Sequence, residues 1–173
     1  MSEKLRGTAM DNIILIGMPG AGKSTVGVLL AKTLGYAFLD TDLVIQQREG
    51  ALLQSLVDSL GVEAFLDVEA DAICSVECRG TVIAPGGSAV CRERAMSHLK
   101  ALGRIVYLHL PLEELERRLN NISTRGIAMA PGETLADLFA YRAPLYRNYA
   151  DLTVDVGRQS LEETVALVLR ALR

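Results

Sequence analysis

A glycine-rich segment near the start of the chain restricts its possible folds more than any other feature. Residues 13–16, Ile-Ile-Leu-Ile, predict a short buried strand, and apolar residues at helical spacing begin shortly after Lys23. Between them, residues 17–25 read Gly-Met-Pro-Gly-Ala-Gly-Lys-Ser-Thr and fit the phosphate-loop pattern G-x-x-x-x-G-K-S/T. Such a loop turns its backbone N–H groups toward an anion, and the positive end of the following helix adds to the attraction. The segment therefore predicts a nucleotide-binding protein.

The chemistry of the loop predicts contacts for its residues. The ammonium group of Lys23 is placed to reach the β- and γ-phosphates of a nucleotide. The hydroxyl of Ser24 is a predicted ligand of Mg²⁺, which prefers oxygen atoms and keeps several of its waters. The predicted nucleotide-binding set is Gly17, Gly20, Ala21, Gly22, Lys23, Ser24 and Thr25.

The composition narrows the class of protein. The 173 residues suit a single domain, and a hydrophobic content of 50% excludes a disordered chain. No apolar run approaches the roughly 20 residues of a membrane span, and residues 1–10, without the apolar core of a secretory signal, are expected to form a loose tail. A net charge of −3 argues against general nucleic-acid binding. Three cysteines without C-x-x-C spacing predict reduced thiols, so we expect a cytoplasmic protein, and we expect a monomer with a small-molecule partner.

Short apolar runs alternate with helical patterns along the whole chain. The predicted strands cover residues 13–16, 37–39, 81–84, 104–110 and 152–155. The run at 104–110 is almost continuously apolar, as a strand buried on both faces should be. Strands that alternate with helices predict a parallel sheet covered by helices on both faces.

Polar residues and glycines lie at or beyond the carboxyl ends of these strands, where parallel sheets bind ligands. Phosphoryl transfer needs positioned reactants, neutralised phosphate charge and a group that orients or deprotonates the attacking oxygen. A carboxylate can handle an acceptor hydroxyl, and an arginine in a mobile segment can close over the transferring group. The candidates are Asp40, Asp42, Gly86, Gly87, Arg125 and Arg142.

Simpler explanations exist for several of these candidates. Asp40 and Asp42 could be a helix cap and a first-turn acid, which helix starts favour in any case. Gly86 and Gly87 could form a plain turn, and Arg125 could be a solvated loop residue. The phosphate loop in the same chain favours the site interpretation without excluding these alternatives.

Together these motifs resemble the shikimate kinase family. The resemblance rests on the phosphate loop, Leu-Asp-Thr-Asp at 39–42, Gly-Gly at 86–87, Arg125 and Arg-Ala-Pro-Leu-Tyr at 142–146, and it extends over residues 13–172. It implies one domain over residues 1–173 with a P-loop, nucleoside-monophosphate-kinase-like α/β fold. The expected features of that fold are a five-stranded parallel sheet with helices on both faces, ATP as the donor and a mobile lid at about residues 122–133.

The resemblance also implies roles for individual residues. Asp40 would support magnesium, and Asp42 would hold the acceptor hydroxyls and act as the base. Arg125 would meet the phosphates from the lid, and Arg142 would bind the acceptor carboxylate. The other implied positions are catalytic Lys23, magnesium-binding Ser24, Arg118 and Arg158 beside adenine, and Gly86, Gly87 and Glu69 on the acceptor side.

In three places the chain departs from the family pattern. Leu66 follows Phe65 where the family has an arginine that binds the acceptor carboxylate. Ser88 replaces the third glycine of a Gly-Gly-Gly run, and residues 125–126 read Arg-Gly where the lid usually begins Arg-Pro. A lost charge-assisted contact would weaken acceptor binding by about 1.5–3 kcal/mol. The departures therefore fall on the acceptor pocket and the lid and leave the phosphate loop intact.

Three functions follow from this pattern. The first expectation is ATP-dependent phosphorylation of shikimate to shikimate 3-phosphate. The second is a kinase for a hydroxyl amino acid such as homoserine, whose ammonium group would meet Glu69 and whose carboxylate would meet Arg142. The third is an ATP-binding regulator without turnover, which would not need Asp42, Arg125 and Arg142.

Overall fold

The computed structural model describes residues 11–120 and 126–173. The predicted tail at 1–10 and the first part of the predicted lid, up to and including Arg125, lie outside the described residues.

Five strands and eight α-helices alternate along the described chain. The strands are β1 (Asn12–Ile16), β2 (Ala37–Asp40), β3 (Thr81–Ala84), β4 (Gly103–His109) and β5 (Leu152–Asp155). The helices are α1 (Lys23–Leu34), α2 (Thr41–Glu49), α3 (Leu53–Leu60), α4 (Val62–Cys74), α5 (Glu93–Leu102), α6 (Leu112–Leu119), α7 (Leu135–Tyr149) and α8 (Leu161–Ala171), with a short 3-10 turn at Ala89–Cys91. Each predicted strand is present, with ends that differ from the prediction by at most one residue.

The five strands form one sheet in the order β2-β3-β1-β4-β5, and every pair is parallel. All five residues of β1 are buried. Because successive side chains of a strand point to opposite faces, both faces of the sheet are covered at its centre. The predicted parallel sheet is therefore confirmed. The chain leaves β1 toward β2 and β3 on one side and later adds β4 and β5 on the other, which creates a crevice at the carboxyl end of β1.

Local sequence signals explain where several helices begin and end. α1 and α2 end at Gly35 and Gly50, whose φ angles of +71° and +65° are left-handed and favour glycine. α7 and α8 begin at capping boxes in which Thr134 and Ser160 accept a backbone N–H three residues later. No helix within residues 11–120 or 126–173 is long and apolar enough to cross a bilayer.

A second, smaller apolar cluster lies apart from the main core around the sheet. It joins α2, α3, α4 and the segment that precedes α7. Its buried members are Ile45, Leu56, Val57, Phe65, Leu66, Ala72 and Ala128. This second core packs α4, the helix that carries Glu69, against α2 and α3.

The side chain of Asn12 connects the amino end of β1 to two neighbouring segments. Its Nδ2 donates to the carbonyl oxygens of Cys78 at 2.8 Å and Leu102 at 3.1 Å, and its Oδ1 accepts from the backbone N–H of Thr81 at 3.0 Å. Asn12 is buried, so water is poorly placed to replace these bonds.

We expect Asn12→Ala to lower the free energy of unfolding by about 2–4 kcal/mol, because buried backbone groups would lose their partners. Asn12→Asp should be worse, since its carboxylate would face two carbonyl oxygens. Urea denaturation followed by circular dichroism measures both effects. The KM for ATP of the folded variants should stay unchanged, because Asn12 lies at the opposite end of β1 from the phosphate loop. An unchanged unfolding midpoint for Asn12→Ala would contradict the assignment.

Candidate active site

The predicted phosphate loop connects β1 to α1 at the crevice. Gly22 precedes the first residue of α1 with a φ of +90°, a conformation that residues with a Cβ rarely adopt. Gly17 lies at the base of the loop, where a Cβ would come within 2.7 Å of the carbonyl oxygen of Leu108. Glycine is therefore required at Gly22 by the positive φ and at Gly17 by the close backbone contact. The loop leads into the first turn of α1, whose free N–H groups can bind an anion.

Lys23 is buried and folds back over its own loop. Its Nζ donates to the carbonyl oxygens of Gly17 at 2.7 Å and Met18 at 2.8 Å. Burial lowers the pKa of Lys23 to about 8, although nearby carboxylates, Asp42 first among them, act to raise it. A phosphate group bound in the loop would provide a negative charge close to this buried ammonium group and would stabilise its protonated form.

Ser24 and Asp40 place two oxygen-bearing groups beside the loop. The hydroxyl of Ser24 donates to Oδ2 of Asp40 at 3.0 Å. Oδ1 of Asp40 accepts the backbone N–H of Asp42 at 2.9 Å, so Asp40 is also the N-cap of α2. The helix-cap alternative for Asp40 is thus correct and compatible with a site. This pair fits Mg²⁺, which prefers oxygen ligands and keeps several waters, and the described chain has no cluster of three or more His, Cys, Asp or Glu that could hold a metal.

Two carboxylates converge over Gly86. A Cβ on Gly86 would lie 2.6 Å from Oε2 of Glu69 and 2.9 Å from Oδ1 of Asp42. Burial, reinforced by the charge of Asp40, raises the pKa of Asp42 to about 6. Burial also raises the pKa of Glu69 to about 7, and the charge of Asp42 adds to that shift. Gly86 therefore has a steric role beyond that of a plain turn, because any side chain there would collide with the two carboxylates.

Ser88 is the hydrogen-bonding partner of Glu69. Its hydroxyl lies 2.7 Å from Oε1 and 2.9 Å from Oε2 of Glu69, and both residues are buried. The sequence marked Ser88 only as a departure from the glycine run. Nothing in the local sequence signalled this contact, because the two residues are 19 positions apart.

Arg142 is a buried cation with unused hydrogen-bonding capacity. Only 2% of the residue is exposed, and one Nη donates to the carbonyl oxygen of Ala128 at 2.9 Å. Its Nε has no hydrogen-bond partner among the residues that the structure describes. A buried donor of this kind is costly unless a ligand completes it, and a carboxylate is the ligand that suits a guanidinium best.

These groups line one cleft of about 460 Å³. The predicted residues that line it are Gly20, Gly22, Lys23, Ser24, Thr25, Asp40, Asp42, Glu69, Gly86, Gly87, Arg118 and Arg142. Its walls also include Ser88, which the sequence did not assign to the site. The structure thus brings most of the described phosphate and acceptor candidates into a single space, whereas Gly17 and Ala21 of the predicted nucleotide-binding set do not line it.

A smaller cavity of about 210 Å³ adjoins the cleft through Gly22, Thr25 and Arg118. Arg118 lines both spaces, and it donates to the carbonyl oxygens of Gly20 at 3.3 Å and Gly157 at 3.0 Å. Ala21 lines this cavity, whereas Arg158 is exposed and lines neither space. The adenine-side positions of Arg118 and Arg158 stay predictions, and the geometry gives more support to Arg118.

A larger cavity, which Arg142 also lines, was not predicted from the sequence. It measures about 660 Å³, has largely apolar walls and shares only Ala128 and Arg142 with the cleft. Leu66 lines it and is 5% exposed. Leu66 therefore faces an apolar space and the second core, and it is not among the residues that line the cleft.

The described part of the predicted lid begins at Gly126. This glycine has a φ of +79°, and its N–H donates to Oε1 of Gln54 at 2.9 Å. Proline could supply neither the positive φ nor the N–H, which explains why glycine follows Arg125 in this chain. Arg125 itself lies outside the described residues, and the mobility of the lid stays a prediction.

Comparison with known proteins agrees with this geometry. A family model described as "Shikimate kinase" matches residues 19–173. The chain belongs to the shikimate kinase family. A shikimate kinase of Pseudomonas aeruginosa is 41% identical over 169 residues, which are 95% of this chain and 97% of that protein.

Solved structures of the shikimate kinase family agree with this assignment. The shikimate kinase of Acinetobacter baumannii, solved in complex with shikimate, has a TM-score of 0.84 and 32% identity over 94% of this chain and 93% of that chain. The shikimate kinase of Aquifex aeolicus has a TM-score of 0.77 and 31% identity over 93% and 95% of the two chains. The predicted fold and the predicted class, an ATP-dependent kinase that acts on a hydroxyl group, are confirmed.

The raised pKa of Glu69 leads to a stability prediction. Between about pH 4.5, the ordinary pKa, and about pH 7, the folded state holds a proton that the unfolded state has released. Stability from this group therefore falls as pH rises through that window. Glu69→Gln cannot titrate, so its unfolding free energy relative to the unmodified protein should rise by about 1–3 kcal/mol from pH 5 to pH 8.

Urea denaturation at the two pH values measures this difference. Glu77→Gln, at an exposed position of the same charge, is the matched control and should show little change. Equal pH dependence in Glu69→Gln and the unmodified protein would show that Glu69 does not titrate as the structure indicates.

Proposed function

We propose that this protein transfers the γ-phosphoryl group of ATP to a hydroxyl of shikimate and forms shikimate 3-phosphate. The observation that carries the proposal is the convergence of Lys23, Asp42 and Arg142 on one cleft in a member of the shikimate kinase family. The relative from Acinetobacter baumannii, solved in complex with shikimate, supports this acceptor.

The phosphate side of the cleft would bind ATP. The backbone N–H groups at the start of α1 would receive the phosphates, and Lys23 would leave its carbonyl partners to contact the β- and γ-phosphates. Ser24 and Asp40 would hold Mg²⁺, whose charge would help neutralise the phosphates. Arg118 would lie beside the base. The lid residue Arg125 would approach the transferring group, a role that the family resemblance supports.

The acceptor side would bind shikimate through its carboxylate and hydroxyls. Arg142 is buried, and its Nε has no partner within residues 11–120 and 126–173, so it would receive the carboxylate. Asp42 would accept a hydroxyl proton, and its raised pKa of about 6 keeps it mostly ionised at neutral pH while making it a stronger base than an exposed aspartate. The hydroxyl oxygen would form the new bond to phosphorus, the bond to the bridging oxygen would break, and ADP would leave.

The structure gives less support to the two alternatives. Both oxygens of Glu69 already face the Ser88 hydroxyl, and a pKa near 7 reduces the negative charge that an ammonium group would need. A regulator without turnover would not require Asp42 and Arg142 to line the nucleotide cleft. We infer further that the enzyme acts as a monomer, because the described chain supplies both sides of the site. A cytoplasmic location stays a prediction from the spacing of its three cysteines.

An acceptor panel tests the proposed function. The purified protein is incubated with ATP and Mg²⁺ and with shikimate, with homoserine or with no acceptor, and ADP release is followed. Shikimate-dependent release supports the proposal. Release with homoserine alone would identify the amino-acid kinase, and binding of ATP without acceptor-dependent release would identify the regulator.

We expect Lys23→Ala to lower kcat for shikimate by at least about 10²–10³-fold. The substitution removes the ammonium group whose positive charge would contact the transferring phosphates. Lys32→Ala, at an exposed position on the same helix, is the matched control and should retain full activity. Steady-state ADP release measures both. If Lys23→Ala kept activity within a few-fold of the unmodified protein, the phosphate-loop assignment would fail.

We expect Leu66→Arg to lower the KM for shikimate, by about tenfold for each 1.4 kcal/mol of new contact, with little change in kcat. Leu66 does not line the cleft, so the longer side chain would extend through the 660 Å³ cavity toward Arg142, which lines both spaces, and would there add a second cation for the acceptor carboxylate. Leu66→Met keeps an apolar side chain and serves as the control. A raised KM for shikimate in folded Leu66→Arg would argue against shikimate as the acceptor.

A further inference from the structure

We propose that Ser88 is a positioning residue of the acceptor site, which holds the Glu69 carboxylate beside Asp42 so that the two can receive acceptor hydroxyls. This inference rests on the proposed function and concerns the same cleft. It assigns a role to a residue that the sequence marked only as an irregularity.

The contact between Ser88 and Glu69 is short and buried. A serine hydroxyl carries one hydrogen, and here it lies between the two carboxylate oxygens at 2.7 and 2.9 Å. Glu69 is 2% exposed and Ser88 is 5% exposed, so bulk water cannot compete for the bond. A hydrogen bond to a charged group in such surroundings is stronger than one between neutral groups.

The backbone at Ser88 is itself fixed. The carbonyl oxygen of Ser88 accepts from the N–H of Cys91 at 3.0 Å, and the carbonyl oxygen of Gly86 accepts from the N–H of Ala89 at 3.1 Å. These bonds form the 3-10 turn that follows β3. The hydroxyl therefore projects from a rigid turn, as a positioning group should.

Other groups near Glu69 do not replace this hydrogen bond. The nearby cations donate elsewhere, Lys23 to its own loop and Arg142 to the carbonyl oxygen of Ala128. Leu66, one helical turn before Glu69 on α4, is apolar and offers no donor. Among the described side chains and backbone groups, Ser88 is thus the sole hydrogen-bond donor to Glu69.

The position of Glu69 matters because its carboxylate lies opposite that of Asp42 across Gly86. Its Oε2 and Oδ1 of Asp42 both come within 3 Å of the point that a Cβ on Gly86 would occupy. Two carboxylate oxygens this close can accept hydrogen bonds from two hydroxyls of one polyol, or can both lie near a single hydroxyl. Rotation of Glu69, or a rise of its pKa beyond about 7, would reduce the fraction of molecules that present this pair.

Removal of the Ser88 hydroxyl should weaken acceptor binding alone. We expect Ser88→Ala to raise the KM for shikimate roughly ten- to hundredfold and to leave the KM for ATP within twofold. Ser88→Thr keeps the hydroxyl and should retain most of the affinity, and Ser97→Ala at an exposed position should behave as the unmodified protein. An unchanged KM for shikimate in Ser88→Ala would overturn the proposal.

A second measurement needs no acceptor, so it separates this proposal from the proposed function. The side-chain carboxyl carbons of glutamate are labelled with ¹³C, and Glu69 is assigned by its absence in Glu69→Gln. The charged and titratable groups that face Glu69 are Asp42, Lys23, Arg142 and Cys91, and all remain in the Ser88 variants. The Glu69 resonance should titrate at higher pH in Ser88→Ala than in the unmodified protein and Ser88→Thr, because the donor that stabilises its charged form is lost.

Equal titration in all three proteins would overturn the positioning role, whether or not shikimate is the substrate. Failure of shikimate turnover in the unmodified protein, with the titration shift present, would overturn the proposed function alone. In the Leu66→Arg background, an arginine one turn from Glu69 supplies a second donor, so the effect of Ser88→Ala on the titration should shrink.

Discussion

Lys23, Glu69 and Arg142, which are buried, and Asp42, which is partly buried, line one cleft, and the rest of the site depends on the balance of their charges. Burial favours the neutral form of each acid and of the lysine, which is why the pKa values of Asp42 and Glu69 are raised and that of Lys23 is lowered. Few protein hydrogen bonds compensate for this burial. Ligand charges would stabilise such an arrangement, and phosphates beside Lys23 and a carboxylate beside Arg142 would supply them.

Two apolar cores of unequal size hold the two sides of the cleft. The main core packs against the fully buried β1 and fixes the phosphate loop at its carboxyl end. The smaller core of seven buried residues fixes α4 and the Ala128 segment, which carry Glu69 and the carbonyl partner of Arg142. Leu66 is part of this smaller core. An apolar residue at this position contributes packing on the acceptor side, and the cleft has no second cation from α4.

The three departures from the family pattern are related through this packing. Leu66 leaves Glu69 without a donor on its own helix, and Ser88 supplies one from the turn after β3. Gly126 adopts a positive φ and donates to Gln54 on α3, which joins the segment after Arg125 to the helices around the smaller core. Each departure has a local physical explanation, and all three lie around the acceptor side of the cleft.

The sequence by itself determined the features that depend on neighbouring residues. The strands could be predicted to within one residue because apolar runs and helical spacing are local patterns, and the phosphate loop could be identified because its glycines and Lys23 are contiguous. Position at or beyond strand ends made Asp42 and Arg142 site candidates, and the family resemblance added Glu69. Only the tertiary structure decided how these residues meet.

Some contacts could not be predicted from the sequence. Each of them joins residues that are far apart along the chain. The Ser88 hydroxyl donates a hydrogen bond to Glu69, which is 19 residues away in sequence. Arg142 donates one to the carbonyl oxygen of Ala128, which is 14 residues away. The resemblance implies that both Arg118 and Arg158 lie beside adenine. In the structure Arg118 lines two cavities, whereas Arg158 is exposed and lines neither. The pKa shifts also arise from burial and from charges on different helices, so they follow from packing between elements and leave no signal in any local stretch of sequence.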